Sequence, residues 1–133
     1  VRQSSFLGAM LKFHHMVIIA TIALFVVIAC LTLITMPKNT ILHGNDKLQH
    51  IAAFFALTLP VACYRPRWLL WMVPLAAAFG GAIELLQPFV GRSRDLADWY
   101  ADLKGIGAAA VLGSLLHVIC KGISTARQPR AVP

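Results

Sequence analysis

Charge is scarce in this chain. Of its 133 residues only 13% are charged and only five are acidic, while 59% are hydrophobic and the mean hydropathy is +0.74. A soluble domain of this length needs a more polar surface than that charge content supplies, so the class is membrane. Cysteine is sparse as well: Cys30, Cys63 and Cys120 are odd in number, lack CxxC spacing and fall in or beside apolar runs. That excludes a disulfide framework or a cysteine zinc site and leaves them as small apolar helix residues. The chain also lacks a nucleophile elbow, a Gly-rich phosphate loop, an HExxH pair and a haem motif, so neither a cofactor nor a metal is indicated. The formal net charge is +7. No basic run is interleaved with exposed aromatics, which argues against nucleic acid as a partner and makes the positive charge a topology signal.

What the chain has in quantity is long apolar runs. Met16 to Met36 carries no charge and is long enough to cross a hydrocarbon core of about 30 Å. Arg2, Lys12 and the His14-His15 pair precede it, as in a signal peptide. Ile34 and Met36 before Pro37 do not make a small-residue cleavage site, so the run reads as a retained first helix. The second run, Leu48 to Tyr64, is short and contains Pro60, which leaves a short span or a re-entrant segment. The third goes from Trp68 to Val90 with Pro74, Glu84 and Pro88 inside it, and the fourth from about Ala101 to Cys120. Residues 121–133 read as a mobile, basic cytoplasmic tail. The expected architecture is all-α: a single domain over 1–133, a bundle of four transmembrane helices with both termini inside.

Loop charges support that count. With four spans, Arg2, Lys12, Arg65, Arg67, Lys121, Arg127 and Arg130 share one side, without an acid. Lys38, Lys47, Arg92, Arg94 and Lys104 share the other side with all five acids: Asp46, Glu84, Asp95, Asp98 and Asp102. The bias toward Lys and Arg on the first side makes it the cytoplasmic one, and Trp68, Trp71 and Trp99 fall near the expected interfaces.

Three stretches hold nearly all the polar chemistry. At the entry to the second helix, Asp46-Lys47-Leu48-Gln49-His50 offers a cap in Asp46 and an i, i+4 pair between Asp46 and His50. In the third run, Glu84 shares a stripe with Ala76 and Gly80, and Gln87 follows one turn later. A carboxylate that deep in an apolar run needs a partner, for which Lys47, Arg92 and Arg94 are candidates, and such residues are functional by default. The third stretch, Gly91-Arg92-Ser93-Arg94-Asp95-Leu96-Ala97-Asp98, places Asp95, Asp98 and Asp102 on one helix face and makes an Arg94–Asp98 pair available. Asp95 by itself is best read as a helix cap. Gly105, Ala109 and Gly113 continue near that face as a small-residue seam for a neighbouring helix. His117 and Cys120, one turn apart, are expected to pack in the core rather than bind a metal. His14 and His15 anchor the inner interface.

The three stretches together, Asp46-Lys47-Leu48-Gln49-His50, then Glu84-Leu85-Leu86-Gln87, then Gly91-Arg92 with Asp95, Asp98 and Gly105, resemble the VanZ-like family over roughly Asp46 to Leu112. The family commonly has Asn where this chain has Asp102, a departure that adds a charge. The resemblance implies a multipass protein of the bacterial cytoplasmic membrane. The founding member of that family is linked to low-level teicoplanin resistance. Glycopeptides act on the cell-wall precursor outside the membrane, the side to which loop charges assign the motifs.

Three functions compete. In the first, the outer-face cluster (Asp46, Lys47, His50, Glu84, Gln87, Arg92, Asp95, Asp98, Asp102) binds the headgroup of a membrane lipid or a lipid-linked envelope precursor. Lys47, Arg92 and Arg94 would take its phosphate oxygens. In the second, the protein modifies a lipid phosphate or glycan with His50 as acid or base and Glu84 or Asp98 orienting it, although no nucleophile is evident. In the third, it is an accessory subunit that packs into a larger membrane complex through the Gly105–Ala109–Gly113 seam.

Overall fold

The computed structural model describes residues 2–34 and 46–126, and among these there is no strand. Four helices form: α1 (Arg2–Leu33), α2 (Asp46–Tyr64), α3 (Leu69–Leu86) and α4 (Leu96–Ala126). Short 3₁₀ turns cover Pro66–Trp68 and Gln87–Val90. Lys38, Thr35, Met36, Arg127 and Arg130 lie outside the described residues, as does the expected tail beyond Ala126.

Two helices extend beyond expectation. α1 begins at Arg2 rather than near Met16, because no proline interrupts the stretch before the apolar run. α4 runs Leu96–Ala126 rather than 101–120, so residues 121–126, expected as tail, are helical. Hydropathy marks where a helix is apolar. It does not mark where its backbone hydrogen bonds stop.

Contacts along the helices fix their directions. His14 stacks on Trp68, Phe25 on Phe79, and Arg92 donates to the Thr32 carbonyl, so α1 and α3 run the same way. His50 meets Asp102, Ala62 lies against Gly113, and His117 Nδ1 bonds the Cys63 carbonyl, so α2 and α4 run together, opposite to the first pair. The ends of α1 and α3 and the starts of α2 and α4 therefore meet at one pole, which carries the acids. The other pole is aromatic and basic. There Phe13, His14, Tyr64 and Trp68 cluster, with the Arg65 guanidinium 5.7 Å from the Tyr64 ring centre and 5.6 Å from that of Trp68.

α2 is the interior helix. Its buried residues are His50, Phe54, Leu57, Thr58, Val61 and Ala62, and the core is completed by Ile28, Met72, Ala76, Ile83 and Ile106. It approaches α4 backbone to backbone along the small-residue seam. A Cβ on Gly105 would strike the Ile51 carbonyl, and one on Gly113 would meet Ala62 and the Cys63 amide. Ala109, between them, is fully buried. The seam that the sequence offers to a partner is thus occupied by α2 of the same chain.

The outside is apolar. Ile19, Ile22, Val26, Leu70, Trp71, Leu75, Phe89, Val111, Leu115 and Val118 are each more than half exposed, a surface suited to lipid rather than water. Three stretches are long and apolar enough to cross a membrane: Leu11–Leu33, Pro66–Val90 and Leu96–Thr125. α2 is not among them, since Asp46, Lys47, Gln49 and His50 fill its first turn. Two threonine hydroxyls of α1 are satisfied within the helix: Thr21 bonds the Val17 carbonyl at 2.8 Å and Thr32 that of Ile28 at 2.7 Å, as a low-dielectric surround requires.

The turn after α3 positions the acidic pole. Gly91 sits at φ +77°, and the Arg92 amide returns to the Gln87 carbonyl at 3.0 Å, closing a left-handed cap. Gly91→Ala is expected to destabilise the protein by about 1–2 kcal/mol through the left-handed backbone alone, since nothing lies within 4 Å of the added methyl. Thermal unfolding in detergent measures it, and an unchanged midpoint would mean that the turn is not held as described.

Candidate functional site

The acidic pole is assembled around His50, on the first turn of α2 and 4% exposed. Its Nδ1 lies 2.8 Å from Asp102 Oδ1, and its Nε2 lies 3.8 Å from Asp98 Oδ2. The first distance is a short charge-assisted hydrogen bond; the second exceeds one. With the imidazole neutral, the bond to Asp102 puts the ring proton on Nδ1 and leaves the Nε2 lone pair facing Asp98. Asp102 is fully buried and its Oδ2 has no partner. Gly80 makes room for it, because a Cβ there would come within 2.5 Å of that oxygen.

Glu84, 2% exposed, pairs with none of its candidate cations. Its Oε2 accepts the Asp95 backbone N–H at 3.0 Å, and its Oε1 is buried without a partner. A backbone amide at the start of a helix is itself a partial positive charge, which is why it can stand in for Lys or Arg. Asp95 caps α4 through its own Oδ1, 2.8 Å from the Ala97 amide nitrogen. It therefore lies at the helix end and not with Asp98 and Asp102 on the face toward α2.

The basic residues divide. Arg92 is held inside the bundle, with Nη1 donating to the Thr32 carbonyl at 2.9 Å and Nη2 3.6 Å from Asp46 Oδ2. Arg94 does not pair with Asp98. It forms no hydrogen bond or ion pair with any described residue and lines an open cavity of about 450 Å³ between α3 and α4. Ala78, Gly81 and Ala82 form the floor of that cavity, Trp99 and Leu85 its walls, and Glu84 reaches it too. Trp99 is fixed there by its indole N–H, 2.9 Å from the Ala77 carbonyl. Lys47 is exposed beside the cluster, and Gln87 is buried with its Nε2 unpartnered.

Two features escaped the sequence reading. The cavity needs small residues on α3 facing Trp99 on α4, a match visible only once the helices are aligned. Asp46, His50 and Asp98 also bring one ligand atom each to within 4.8 Å of one another, although no metal-type spacing marks them in the chain. His117 is a packing residue: it ties α4 to the Cys63 carbonyl, and Cys120 is exposed.

No family model matches the chain, and no curated protein or solved structure matches it.

Proposed function

We propose that the protein is a VanZ-like, four-span protein of the bacterial cytoplasmic membrane, with both termini inside, whose extracytoplasmic pole binds the phosphate-bearing headgroup of an envelope lipid. The observation that carries this reading is Arg94 beside an apolar cavity of about 450 Å³ floored by Ala78, Gly81 and Ala82. A guanidinium with no partner among the described residues, above a small-residue groove on an apolar surface, matches the two halves of such a ligand: bidentate pairing for phosphate oxygens and van der Waals contact for an acyl or prenyl chain. Supporting the fourth span, the two ends of α2 meet the same poles as the other helices, with Tyr64 in the aromatic cluster and Asp46 beside Arg92. The excess of Lys and Arg at the aromatic pole supports the orientation. A role in glycopeptide resistance is proposed on the family resemblance alone.

The enzymatic alternative has less behind it. His50 faces Asp98 and Asp102 rather than the cavity, and no nucleophile accompanies it. The accessory-subunit alternative loses its proposed surface, because the Gly105–Ala109–Gly113 seam is packed on α2.

Native mass spectrometry after gentle extraction tests the reading. The wild-type protein is expected to retain an anionic lipid, and Arg94→Ala to lose at least ten-fold of its occupancy. Equal retention by the variant, or no bound lipid in either, would sink headgroup binding at this groove.

A further inference from the structure

We propose that Asp46, His50 and Asp98 form a binding site for a divalent first-row metal ion, with Asp102 as the outer carboxylate that orients the histidine. The proposal goes beyond lipid binding, and its test requires no lipid.

The geometry comes first. One atom from each of the three side chains lies within 4.8 Å of the other two. His50 Nε2 and Asp98 Oδ2 are 3.8 Å apart, so an ion about 2.1 Å from each would see them at an angle of about 130°. Closing a tetrahedral or facial set requires the three side chains to draw in, Asp98 by a few tenths of an ångström toward His50 Nε2 and Asp46 toward both. Asp46 is able to do so, because its side chain is 46% exposed and its ion pair with Arg92 is long, at 3.6 Å.

The histidine is prepared for the task. Metal-bound imidazoles almost always donate their second N–H to a carboxylate or carbonyl, which fixes the tautomer and raises the basicity of the ligating nitrogen. Here Asp102 Oδ1 takes the Nδ1 proton at 2.8 Å. The side chain of His50 is only 3% exposed, and among the described residues the nearest group of opposite charge to its Nε2 is Asp98 Oδ2, at 3.8 Å, beyond hydrogen-bond distance. A lone pair facing a carboxylate oxygen is repulsive unless a proton or a metal cation lies between them.

Charge points the same way. Asp46, Glu84, Asp98 and Asp102 gather at this pole, with Arg92 the one fixed cation in pairing distance among the described residues. Glu84 is close enough to feel the charges of His50, Asp98 and Asp102, and its buried Oε1 is unpartnered. Uncompensated carboxylates in a low-dielectric interior are costly, and a divalent ion offsets two of them. One imidazole nitrogen with two carboxylate oxygens suits Mn²⁺, Fe²⁺ or Zn²⁺ better than an all-oxygen cation such as Ca²⁺. Three protein ligands leave coordination positions open to water, and the half-exposed Asp46 marks the path of entry.

The test uses the full chain in lipid-free micelles, stripped with chelator and then titrated with Mn²⁺. Electron paramagnetic resonance is expected to show one saturable Mn²⁺ per protein, with a nitrogen hyperfine coupling from the imidazole. Asp46→Asn and Asp98→Asn should each weaken binding at least ten-fold, Asp102→Asn by about 10–100-fold, and His50→Ala should abolish the nitrogen coupling. Asp46 is half exposed, so its variant keeps the fold, with helix content by circular dichroism as the check. The proposal is overturned if Mn²⁺ binding does not saturate, if Asp46→Asn binds as tightly as wild type, or if bound Mn²⁺ shows no nitrogen coupling. In those outcomes His50 is instead an imidazolium paired to two carboxylates.

Discussion

His50→Ala is expected to destabilise the metal-free protein by about 3–5 kcal/mol, the largest loss among single substitutions at the acidic pole. The reason is asymmetry. Asp102 is fully buried, and its one hydrogen bond is the 2.8 Å contact to His50 Nδ1. Truncating His50 leaves that carboxylate without a partner in a low-dielectric interior, and removing one member of a buried pair costs far more than the intact pair contributes. The cost adds to the cavity left by the ring. Asp102→Asn provides the contrast. Asparagine keeps an acceptor for Nδ1–H while removing the buried charge, so its expected change is within about 1 kcal/mol. Combining the two should give much less than the sum, because once Asp102→Asn has removed the carboxylate the loss of His50 strands no charge. Reversible unfolding in mixed micelles measures all three. A His50→Ala loss below about 1 kcal/mol would mean that Asp102 is solvated or paired elsewhere.

Gly105→Val should cost about 3 kcal/mol, the upper end of ordinary overpacking. Overpacked side chains usually relax by rotating, which caps the penalty. Here the obstacle is backbone: the Ile51 carbonyl and, at 3.0 Å, the Phe55 amide nitrogen. α4 can accommodate a side chain only by moving off α2. Asp102 lies one turn away on the same helix, so the movement also stretches its bond to His50. Gly107 is the internal control, because a Cβ there meets nothing within 4 Å. Gly107→Ala should be neutral or stabilising by up to about 1 kcal/mol from helix propensity. Equal effects at Gly105 and Gly107 would mean that the two helices do not touch as described.

Both results bear on function. The polar pole rests on the contact between α2 and α4, and the groove beside Arg94 rests on the contact between α3 and α4. α4 therefore carries Asp98 and Asp102 toward α2 and Trp99 toward α3. If the proposed ion and lipid sites exist, loosening the seam weakens both together, whereas Arg94→Ala acts at the groove alone.

The membrane class, the helices and the gathering of acids at one pole were legible in the sequence. These follow from hydropathy and from the order of charges, which are properties of the chain in one dimension. The starts and ends of α1 and α4 were not, because a helix continues past its apolar segment wherever nothing stops it. Tertiary structure alone decided which polar groups touch. His50 has Asp46 nearby, as the four-residue spacing allows, but its hydrogen bond goes to Asp102, 52 residues on. Glu84 was expected to pair with a cation and holds a backbone amide. Arg94, for which a pair with Asp98 was available, lies at a groove instead, and Arg92 is taken up by the Thr32 carbonyl and Asp46. Each of these depends on how far one helix is rotated and slid against another. That register is set by Gly80 and Gly105, where the absence of a Cβ lets a carboxylate and a carbonyl come close. Helices that are apolar on nearly every side carry no periodic signal to say which face turns inward, so the sequence supplied the charges of the site and packing chose their partners.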